Sequence, residues 1–344
     1  MITEKRANKK RVLVGLSGGV DSSAASVILK EKGYSVTGIF LEFWEEGACC
    51  NSQAQERARD VCRRLNIPFY VLNVKREFKE RVVNYFLESY KKGETPNPCV
   101  VCNKEVKFRT LVEKLISFDS DYIATGHYVR KDESGDDVRL LKGADKKKDQ
   151  SYFLWNIKKE WLPSILFPLG ELKKEEVRNI ARRHDLPVAN VRESQEVCFV
   201  DGSMKRFLKN NLGGESGDIF DKEGSFLGRH NGLFHYTIGQ RKGLGLSGGP
   251  YYVLFKDLKN NQLVVTKDEK DICKKELFFK DGNFIRRERF PFEAEVKIRY
   301  NTQASKAIVE EEKVTFLKPQ RAVATGQSAV FYKGEELIGG GVIK

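Results

Sequence analysis

The residues RVLVGLSGGVDSS, 11–23, indicate the type of fold in the first part of this 344-residue chain. This stretch begins with an apolar run of the length of a buried strand, passes through two consecutive glycines, and continues into a segment with helical apolar spacing. A Gly-rich loop between the carboxyl end of a strand and the start of a helix is where parallel α/β sheets bind ligands. We therefore predict a strand over 11–16, a helix over 22–34 and a ligand site between them.

Strands and helices continue to alternate after this loop. Apolar runs and helical spacing predict strands over 35–41, 68–74 and 121–129, and helices over 55–67 and 78–93. Such alternation is typical of a parallel sheet covered by helices on both faces. The sequence therefore predicts an α/β fold for the first part of the chain, with a nucleotide-binding domain over residues 1–203.

The pattern changes near residue 200. Residues 213–232 are rich in turn-forming residues, and 251–269 contain two apolar runs joined by KNNQ, which predicts two strands in succession. From 275 onward, short alternating strands separated by turn signals are typical of a small β-barrel. We predict a small central domain over 204–274 and a C-terminal β-barrel domain over 275–344.

The composition, 40% hydrophobic and 11% aromatic, is that of a folded globular protein, and its charge balance is basic. Lys and Arg number 61 against 48 Asp and Glu, a net charge of +13, and this excess favours a polyanion such as nucleic acid. No apolar run approaches the roughly 20 residues that span a bilayer. The basic start of the chain passes directly into a strand, without the apolar region of a signal peptide. We expect a cytoplasmic protein with no membrane partner.

The loop after the first strand has the chemistry of a phosphate site. Ser17, Gly18 and Gly19 let the backbone close around phosphate oxygens, while Ser22 and Ser23 add hydroxyl donors at a helix N-terminus, where anions are favoured. No Gly-Lys-Ser/Thr follows, so this is not the loop that clamps terminal phosphates with a lysine. Asp21 could hold Mg²⁺, which takes one or two carboxylates beside phosphate oxygens.

The cysteines indicate reactive or metal-binding thiols. Seven is an odd number, and disulfide frameworks are rare in cytoplasmic proteins. Cys99 and Cys102 form a C-x-x-C within TPNPCVVCNKEVKF, residues 95–108, and Cys198 lies in RESQEVCFV. A thiolate is a strong nucleophile toward an activated carbon, and thiolates also bind zinc and iron. The residues alone leave both uses open.

Together these motifs resemble the tRNA-specific 2-thiouridylases, in a match that runs essentially from end to end. SGGVDSS resembles the pyrophosphate-binding loop of the N-type ATP pyrophosphatases, which have an adenine nucleotide α-hydrolase-like fold. Other matching segments are TPNP…CNKE-KF, IATGHYV, LFPLGELKKEEVR, YTIGQRKGLG and KPQRAVATGQSAVFY. The resemblance implies a sulfurtransferase that adenylates the C2 carbonyl oxygen of the wobble uridine of tRNA, position 34, and then replaces this oxygen with sulfur.

The resemblance also implies roles for individual positions. Cys102 is implied as the first nucleophile and Cys198 as the carrier of a persulfide. ATP contacts are implied for Gly15, Leu16, Ser17, Gly18, Gly19, Val20, Asp21, Ser22, Leu41 and Gly126. Contacts with the extruded base or with other parts of the tRNA are implied for Asn97, Pro98, Cys99, His127, Lys148, Asp149, Gln150, Arg299, Tyr300 and Gln327.

One position departs from the family's usual pattern. The family usually has Asp where this chain has Cys99, so the motif reads C-x-x-C instead of D-x-x-C. Cys99, Cys102 and Cys198 could hold a [4Fe–4S] cluster with one open iron for sulfide. Alternatively, Cys99 serves persulfide chemistry as a thiol of lower pKa or as a resolving partner. A structural zinc site is the third reading, and it would need a fourth ligand.

The resemblance further implies substrates and partners. These are ATP with Mg²⁺, the tRNAs for Lys, Glu and Gln, and a cysteine desulfurase or sulfur-relay protein as the sulfur donor. Two other functions would use only part of these motifs. A small-molecule ligase of the same loop superfamily would not need paired cysteines, and a catalytically inactive tRNA-binding iron–sulfur protein would not need an intact SGGVDSS.

Overall fold

The computed structural model describes residues 9–44, 52–135, 137–191, 197–200 and 202–344. The chain forms two compact units. One comprises the residues up to Lys79 together with Val101–Val200, and the other comprises Glu80–Val100 together with Asp201–Lys344. The segment that carries Cys99 therefore belongs to the same unit as the second half of the chain. In the described parts of the chain, no helix is long and apolar enough to cross a membrane.

The first unit contains a five-stranded sheet, which confirms the predicted α/β fold. Its strands are all parallel to their neighbours and lie in the order Phe69–Asn73, Ser35–Glu42, Arg11–Leu16, Tyr122–Ala124 and Ile165–Leu166. Val12, Leu13 and Val14 are at most 1% exposed, so both faces of the central strand are covered. The strand order reverses beside this strand, which creates a crevice at its carboxyl end.

The helix that follows the glycines starts earlier than predicted. It spans Val20–Glu31, whereas the sequence predicted 22–34. It ends before Gly33, which has a positive φ of 86° and so breaks the helical path. Its buried face shares one core with a later helix, Lys174–Arg183, through Val177 and Ala181. The other predicted helix of this region, over 55–67, is Ser52–Leu65.

The strand predicted over 121–129 is wrong in length. It ends at Ala124, and a separate strand over Val129–Asp132 pairs in antiparallel fashion with Arg139–Lys142. The chain leaves the sheet between them because Gly126 packs directly on the start of the first helix. A Cβ atom on Gly126 would lie 2.6 Å from the backbone nitrogen of Ser22.

Two helical segments contain π-helical turns. The helix predicted over 78–93 runs as Lys75–Phe78, a π-helical stretch Lys79–Val83, and Asn84–Lys91. The segment after the proline-rich loop runs as Pro98–Cys102, a π-helical stretch Asn103–Phe108, and Arg109–Glu113. Such π-helical turns occur frequently at functional sites, and Cys102 lies where one begins.

The second unit contains two β structures. A four-stranded sheet has the order Tyr252–Asp257, Gln262–Thr266, Gly217–Asp221 and Phe226–His230, and its first pair confirms the two strands predicted in 251–269. Beyond it, six antiparallel strands close into a barrel, as predicted. Their order around the barrel is Cys273–Phe284, Lys313–Arg321, Ser305–Val309, Phe292–Lys297, Ser328–Lys333 and Glu336–Ile343, and the last pairs with the first.

The four-stranded sheet also contacts the loop that precedes Pro98. Lys256, in the strand Tyr252–Asp257, donates a hydrogen bond from Nζ to the carbonyl oxygen of Gly93, at 2.9 Å. Burial lowers the pKa of Lys256 from 10.5 to about 8. The native state therefore gives up this proton at a lower pH than the unfolded chain does.

This pKa shift predicts a pH dependence of stability. Between about pH 8 and pH 10.5 the unfolded chain binds more protons at Lys256 than the native state, so native stability rises with pH in this window. We expect the free energy of unfolding in urea of wild type, relative to Lys256→Met, to increase across this window. Lys259→Met, at an exposed lysine, is the matched control. If wild type and Lys256→Met differed in free energy of unfolding by the same amount at both ends of this window, the pKa shift assigned to Lys256 would be contradicted.

Candidate active site

The loop after the first strand folds around its own hydroxyl groups. The backbone nitrogen of Ser17 donates to Ser22 Oγ at 3.1 Å, and Ser22 Oγ donates to the carbonyl oxygen of Gly19 at 3.3 Å. Gly18 has a φ of 68°, and a Cβ atom there would lie 2.2 Å from Ala54 O. Only glycine fits at position 18, which explains the Gly-rich sequence of the loop.

A cavity of about 200 Å³ lies against this loop. Its lining includes most of the residues with an implied ATP contact, which are Gly15, Leu16, Ser17, Asp21, Ser22, Leu41 and Gly126. The lining also includes Phe43, Lys107, Thr125, His127 and Gln150. Of the remaining ATP candidates, Gly18 and Gly19 form the turn of the loop, whereas Val20 packs in the core. Larger cavities of about 310 and 510 Å³ lie on the C-terminal barrel, but no candidate residue lines them.

Asp21 is held by two residues that the sequence analysis missed. Lys174 Nζ donates to both carboxylate oxygens, at 2.7 and 2.8 Å, and the Tyr128 hydroxyl donates to Oδ1 at 2.7 Å. Lys174 is the first residue of the helix Lys174–Arg183, which packs against the first helix, Val20–Glu31. This packing brings the Lys174 ammonium group to the edge of the cavity. Among the matching motifs of the sequence analysis, only LFPLGELKKEEVR contains Lys174.

His127 lies in the wall of the cavity as a neutral ring. It is 8% exposed, and burial together with the charge of Lys107 holds its pKa well below the usual value for histidine. Its Nδ1 lies 2.8 Å from Thr125 Oγ1, and its ring stacks on Phe108 with centroids 5.6 Å apart. A fixed, neutral ring suits contact with a base or a nucleotide better than proton transfer at neutral pH.

Two of the tRNA candidates, Asp149 and Gln150, make hydrogen bonds with neighbouring parts of the chain. Asp149 accepts from the Ser151 backbone nitrogen at 3.1 Å and from Ser151 Oγ at 3.0 Å. Gln150 Oε1 accepts from the backbone nitrogen of Tyr128 at 3.0 Å, and the Gln150 backbone nitrogen donates to Tyr128 O at 3.0 Å. Asp149 thus shapes its own turn, and Gln150 holds the wall of the cavity. Contact of these residues and of half-exposed Lys148 with tRNA stays a prediction.

The three candidate cysteines differ in their surroundings. Cys102 is 8% exposed, Cys99 is exposed on the same short helix, and Cys198 is half-buried. The residue after Cys198, Phe199, packs edge-on against Phe78 with centroids 5.6 Å apart. Among the residues that the structure describes, no three His, Cys, Asp or Glu side chains are arranged to hold a metal ion. The iron–sulfur cluster therefore stays a prediction.

The remaining tRNA candidates belong to the second unit. Asn97 is half-buried, and Pro98 is the buried first residue of the short helix. Arg299 Nη2 donates to the carbonyl oxygens of Ile238 and Ala322, at 3.0 and 2.9 Å. The Tyr300 ring lies under the ammonium group of Lys297, and Gln327 Nε2 donates to Thr95 O at 2.7 Å. Their tRNA contacts also stay predictions.

Comparison with family models divides the chain into three matched regions. Residues 10–202 match the model described as tRNA methyl transferase HUP domain. Residues 205–267 match the tRNA methyl transferase PRC-barrel domain, and residues 274–343 match the Aminomethyltransferase beta-barrel domain. These matches agree with the parallel sheet, the four-stranded sheet and the closed barrel of the structure.

Individual relatives match along almost their whole length. The chain is 45% identical to tRNA-specific 2-thiouridylase MnmA of Carboxydothermus hydrogenoformans, covering 98% of each chain. It is also 45% identical to the protein of the same name in Clostridium acetobutylicum, covering 97% of this chain and 99% of the relative. A solved structure, U34-tRNA thiolase NcsA from Methanococcus maripaludis with its [4Fe-4S] cluster, covers 60% of this chain and 67% of that chain at 18% identity. Its TM-score of 0.37 is too low to support a conclusion. Because the HUP-domain model spans more than half of the chain and its relatives match it from end to end, this chain belongs to the tRNA-specific 2-thiouridylase family.

Proposed function

We propose that this protein uses ATP to replace the C2 oxygen of uridine 34 in tRNA with sulfur. The cavity against the Gly-rich loop, with Asp21 and Lys174 at its edge, supports this reaction most strongly. Family membership supports the same reaction, because the relatives are tRNA-specific 2-thiouridylases.

The residues around the cavity suit a nucleotide. The hydroxyls of Ser17 and Ser22 line the cavity, and on nucleotide binding they would exchange their hydrogen bonds within the loop for hydrogen bonds to phosphate oxygens. Gly126 leaves no side chain between the cavity and the helix start, so phosphates can approach the backbone closely. Asp21 would hold Mg²⁺, which would neutralise charge on the phosphates. Lys107 and Lys174 add positive charge at the same place.

The bound nucleotide activates the uridine for substitution. The C2 carbonyl oxygen attacks the α-phosphorus of ATP, the bond to the β-phosphate oxygen breaks, and pyrophosphate leaves. The uridine then carries AMP on O2, which converts a poor leaving group into a good one. In this scheme the extruded base faces Asn97, Pro98 and Cys99, and His127 contacts the tRNA as a neutral ring.

Sulfur transfer then needs two thiols. The terminal sulfur of a persulfide on Cys198 attacks C2, and AMP departs with the original oxygen. Cys102 then acts as the second nucleophile in this scheme, whereas the resemblance implies that it is the first. Its thiolate attacks Cys198 Sγ, so the persulfide S–S bond breaks, the new sulfur stays on C2, and a disulfide forms between Cys102 and Cys198. A thiol reductant must then supply two electrons to reduce this disulfide. Cys102 lies in a buried place where water competes little for the intermediate.

We propose that a persulfide, and not an iron–sulfur cluster, delivers the sulfur. A cluster with three protein ligands needs three thiolates in one place, and the described residues contain no group of that kind. Cys99 is exposed and takes the position of the family's Asp, so we propose that it supports this route as a thiol near the base.

We also propose the partners of this reaction and the limits of the three domains. The acceptors are the tRNAs for Lys, Glu and Gln, and a cysteine desulfurase or relay protein loads Cys198 in the cytoplasm. The catalytic domain is 1–203, the central tRNA-binding domain 204–274 and the C-terminal barrel domain 275–344. The net charge of +13 favours contact with the tRNA backbone.

The two other functions make different demands. A small-molecule ligase of this loop superfamily would cleave ATP without tRNA, and an inactive tRNA-binding iron–sulfur protein would not cleave ATP at all.

The most direct test incubates the protein with unmodified tRNA, ATP, Mg²⁺ and a persulfide donor, and detects 2-thiouridine by mass spectrometry of nucleosides. ATP cleavage that proceeds equally without tRNA would contradict the proposal.

Lys174→Met tests the cavity as the ATP site. Removing the ammonium group takes one positive charge away from beside the phosphates, and both charge-assisted hydrogen bonds from Lys174 to Asp21 are lost. We expect the KM for ATP to rise by about tenfold or more while the Kd for tRNA stays unchanged. The control is Lys173→Met, at the exposed neighbouring lysine. An unchanged KM for ATP in Lys174→Met would contradict this assignment of the site.

The cysteine variants test the sulfur route. We expect Cys102→Ser and Cys198→Ser to abolish 2-thiouridine formation, and Cys99→Asp, which restores the family's usual residue, to keep it. Anaerobically purified wild type should contain no iron or acid-labile sulfide in stoichiometric amount. About four irons per chain, lost together with activity in each cysteine variant, would contradict the persulfide route and establish a cluster.

A further inference from the structure

In the loop that leads to Cys99, the backbone N–H and the carbonyl group of Thr95 both make hydrogen bonds with the C-terminal barrel. The Thr95 backbone nitrogen donates to Thr325 O at 2.8 Å. In the opposite direction, Gln327 Nε2 donates to the Thr95 carbonyl oxygen at 2.7 Å. Two hydrogen bonds of opposite polarity at one residue fix the orientation of its peptide groups, so Thr95 cannot rotate without breaking them.

The turn of the barrel is shaped for this contact. Gly326, between the two contacting residues, has a φ of 84°, and a Cβ atom there would lie 2.9 Å from the Cβ atom of Glu94 and 3.1 Å from the nitrogen of Thr95. A larger residue at position 326 would therefore be strained and would also push the loop away. The backbone of the turn and the backbone of the loop pack directly on each other.

The central part of the second unit holds the same loop from a second side. Lys256 Nζ donates to Gly93 O at 2.9 Å, and Thr95 Oγ1 lies 3.3 Å from Thr237 Oγ1. The loop has little freedom beyond Thr95, because Pro96 and Pro98 are both buried and have fixed φ values. The conformation set at Thr95 is therefore carried to Asn97 and Cys99.

We propose that Gln327 is a positioning residue, which holds the loop Thr95–Cys99 in the conformation that receives the target base. The inference rests on the proposed function only in assigning the base to this loop. It differs from a direct tRNA contact by Gln327, since the Gln327 amide group acts on the protein's own backbone. The C-terminal barrel thereby shapes the base-binding loop as well as adding surface.

The test compares amide exchange in the free protein with catalysis. Gln327→Glu puts a carboxylate against the Thr95 carbonyl oxygen, and Gln327→Met removes the donor without adding charge. Gln320→Glu is the matched control, because Gln320 is another half-buried barrel glutamine that donates to a backbone carbonyl, that of Lys318 at 2.7 Å. Exchange at the Thr95 amide is measured by mass spectrometry on overlapping peptides, and circular dichroism checks that each variant is folded.

We expect Thr95 to exchange about tenfold faster in both Gln327 variants, as loss of one hydrogen bond predicts, and at the wild-type rate in Gln320→Glu. The kcat for thiolation falls in the Gln327 variants, while the Kd for tRNA stays unchanged. Wild-type exchange at Thr95 in folded Gln327→Met overturns the proposal, most clearly if tRNA binding weakens, since Gln327 would then be a tRNA contact. The exchange measurement needs no ATP, tRNA or sulfur donor, so it decides this question even if the proposed thiolation fails.

Discussion

The close approach of Gly126 to the start of the first helix is the constraint on which the candidate active site depends. A Cβ atom at position 126 would lie 2.6 Å from Ser22 N and 2.8 Å from the carbonyl carbon of Asp21, so only glycine allows the two backbones to pack. Because they pack, the neighbouring strand ends at Ala124 and the chain turns away from the sheet. Thr125 and His127 thereby become walls of the cavity, and the crevice at the sheet's switch point becomes a pocket.

The same constraint separates what the sequence predicts from what it does not. The strand 11–16 and the Gly-rich loop are local patterns, and the structure confirms them. The strand expected over 121–129 was too long, because alternation in the sequence carries no signal of a backbone contact with Ser22. Lys174 was missed for a related reason: it lies 153 residues from Asp21 and belongs to a charged run that looks like a solvated surface. Only the packing of two helices brings its ammonium group to the carboxylate.

The predicted tRNA residues illustrate a second limit of sequence reasoning. Asp149, Arg299 and Gln327 are polar residues for which the resemblance implies tRNA contacts, yet each makes hydrogen bonds with the protein's own chain. Motif matching identifies positions that matter but cannot say whether a side chain contacts the substrate or holds a loop that does. The C-x-x-C spacing shows the same limit. It does not indicate that Cys99 is exposed whereas Cys102 is buried, with only 8% of its surface exposed. Exposure, which governs access to the sulfur donor and the base, follows from packing.

Adenylation of the C2 oxygen of uridine 34 at the cavity against the Gly-rich loop, as we propose, fixes where this oxygen ends after thiolation. The most direct measurement uses tRNA labelled with ¹⁸O at this oxygen, together with ATP, Mg²⁺ and a persulfide donor, and determines by mass spectrometry where the label ends. Adenylation predicts one ¹⁸O in the AMP for every 2-thiouridine formed, because the carbonyl oxygen leaves bonded to the α-phosphorus. Thiolation that yields unlabelled AMP, or that yields ADP and labelled phosphate, would contradict it.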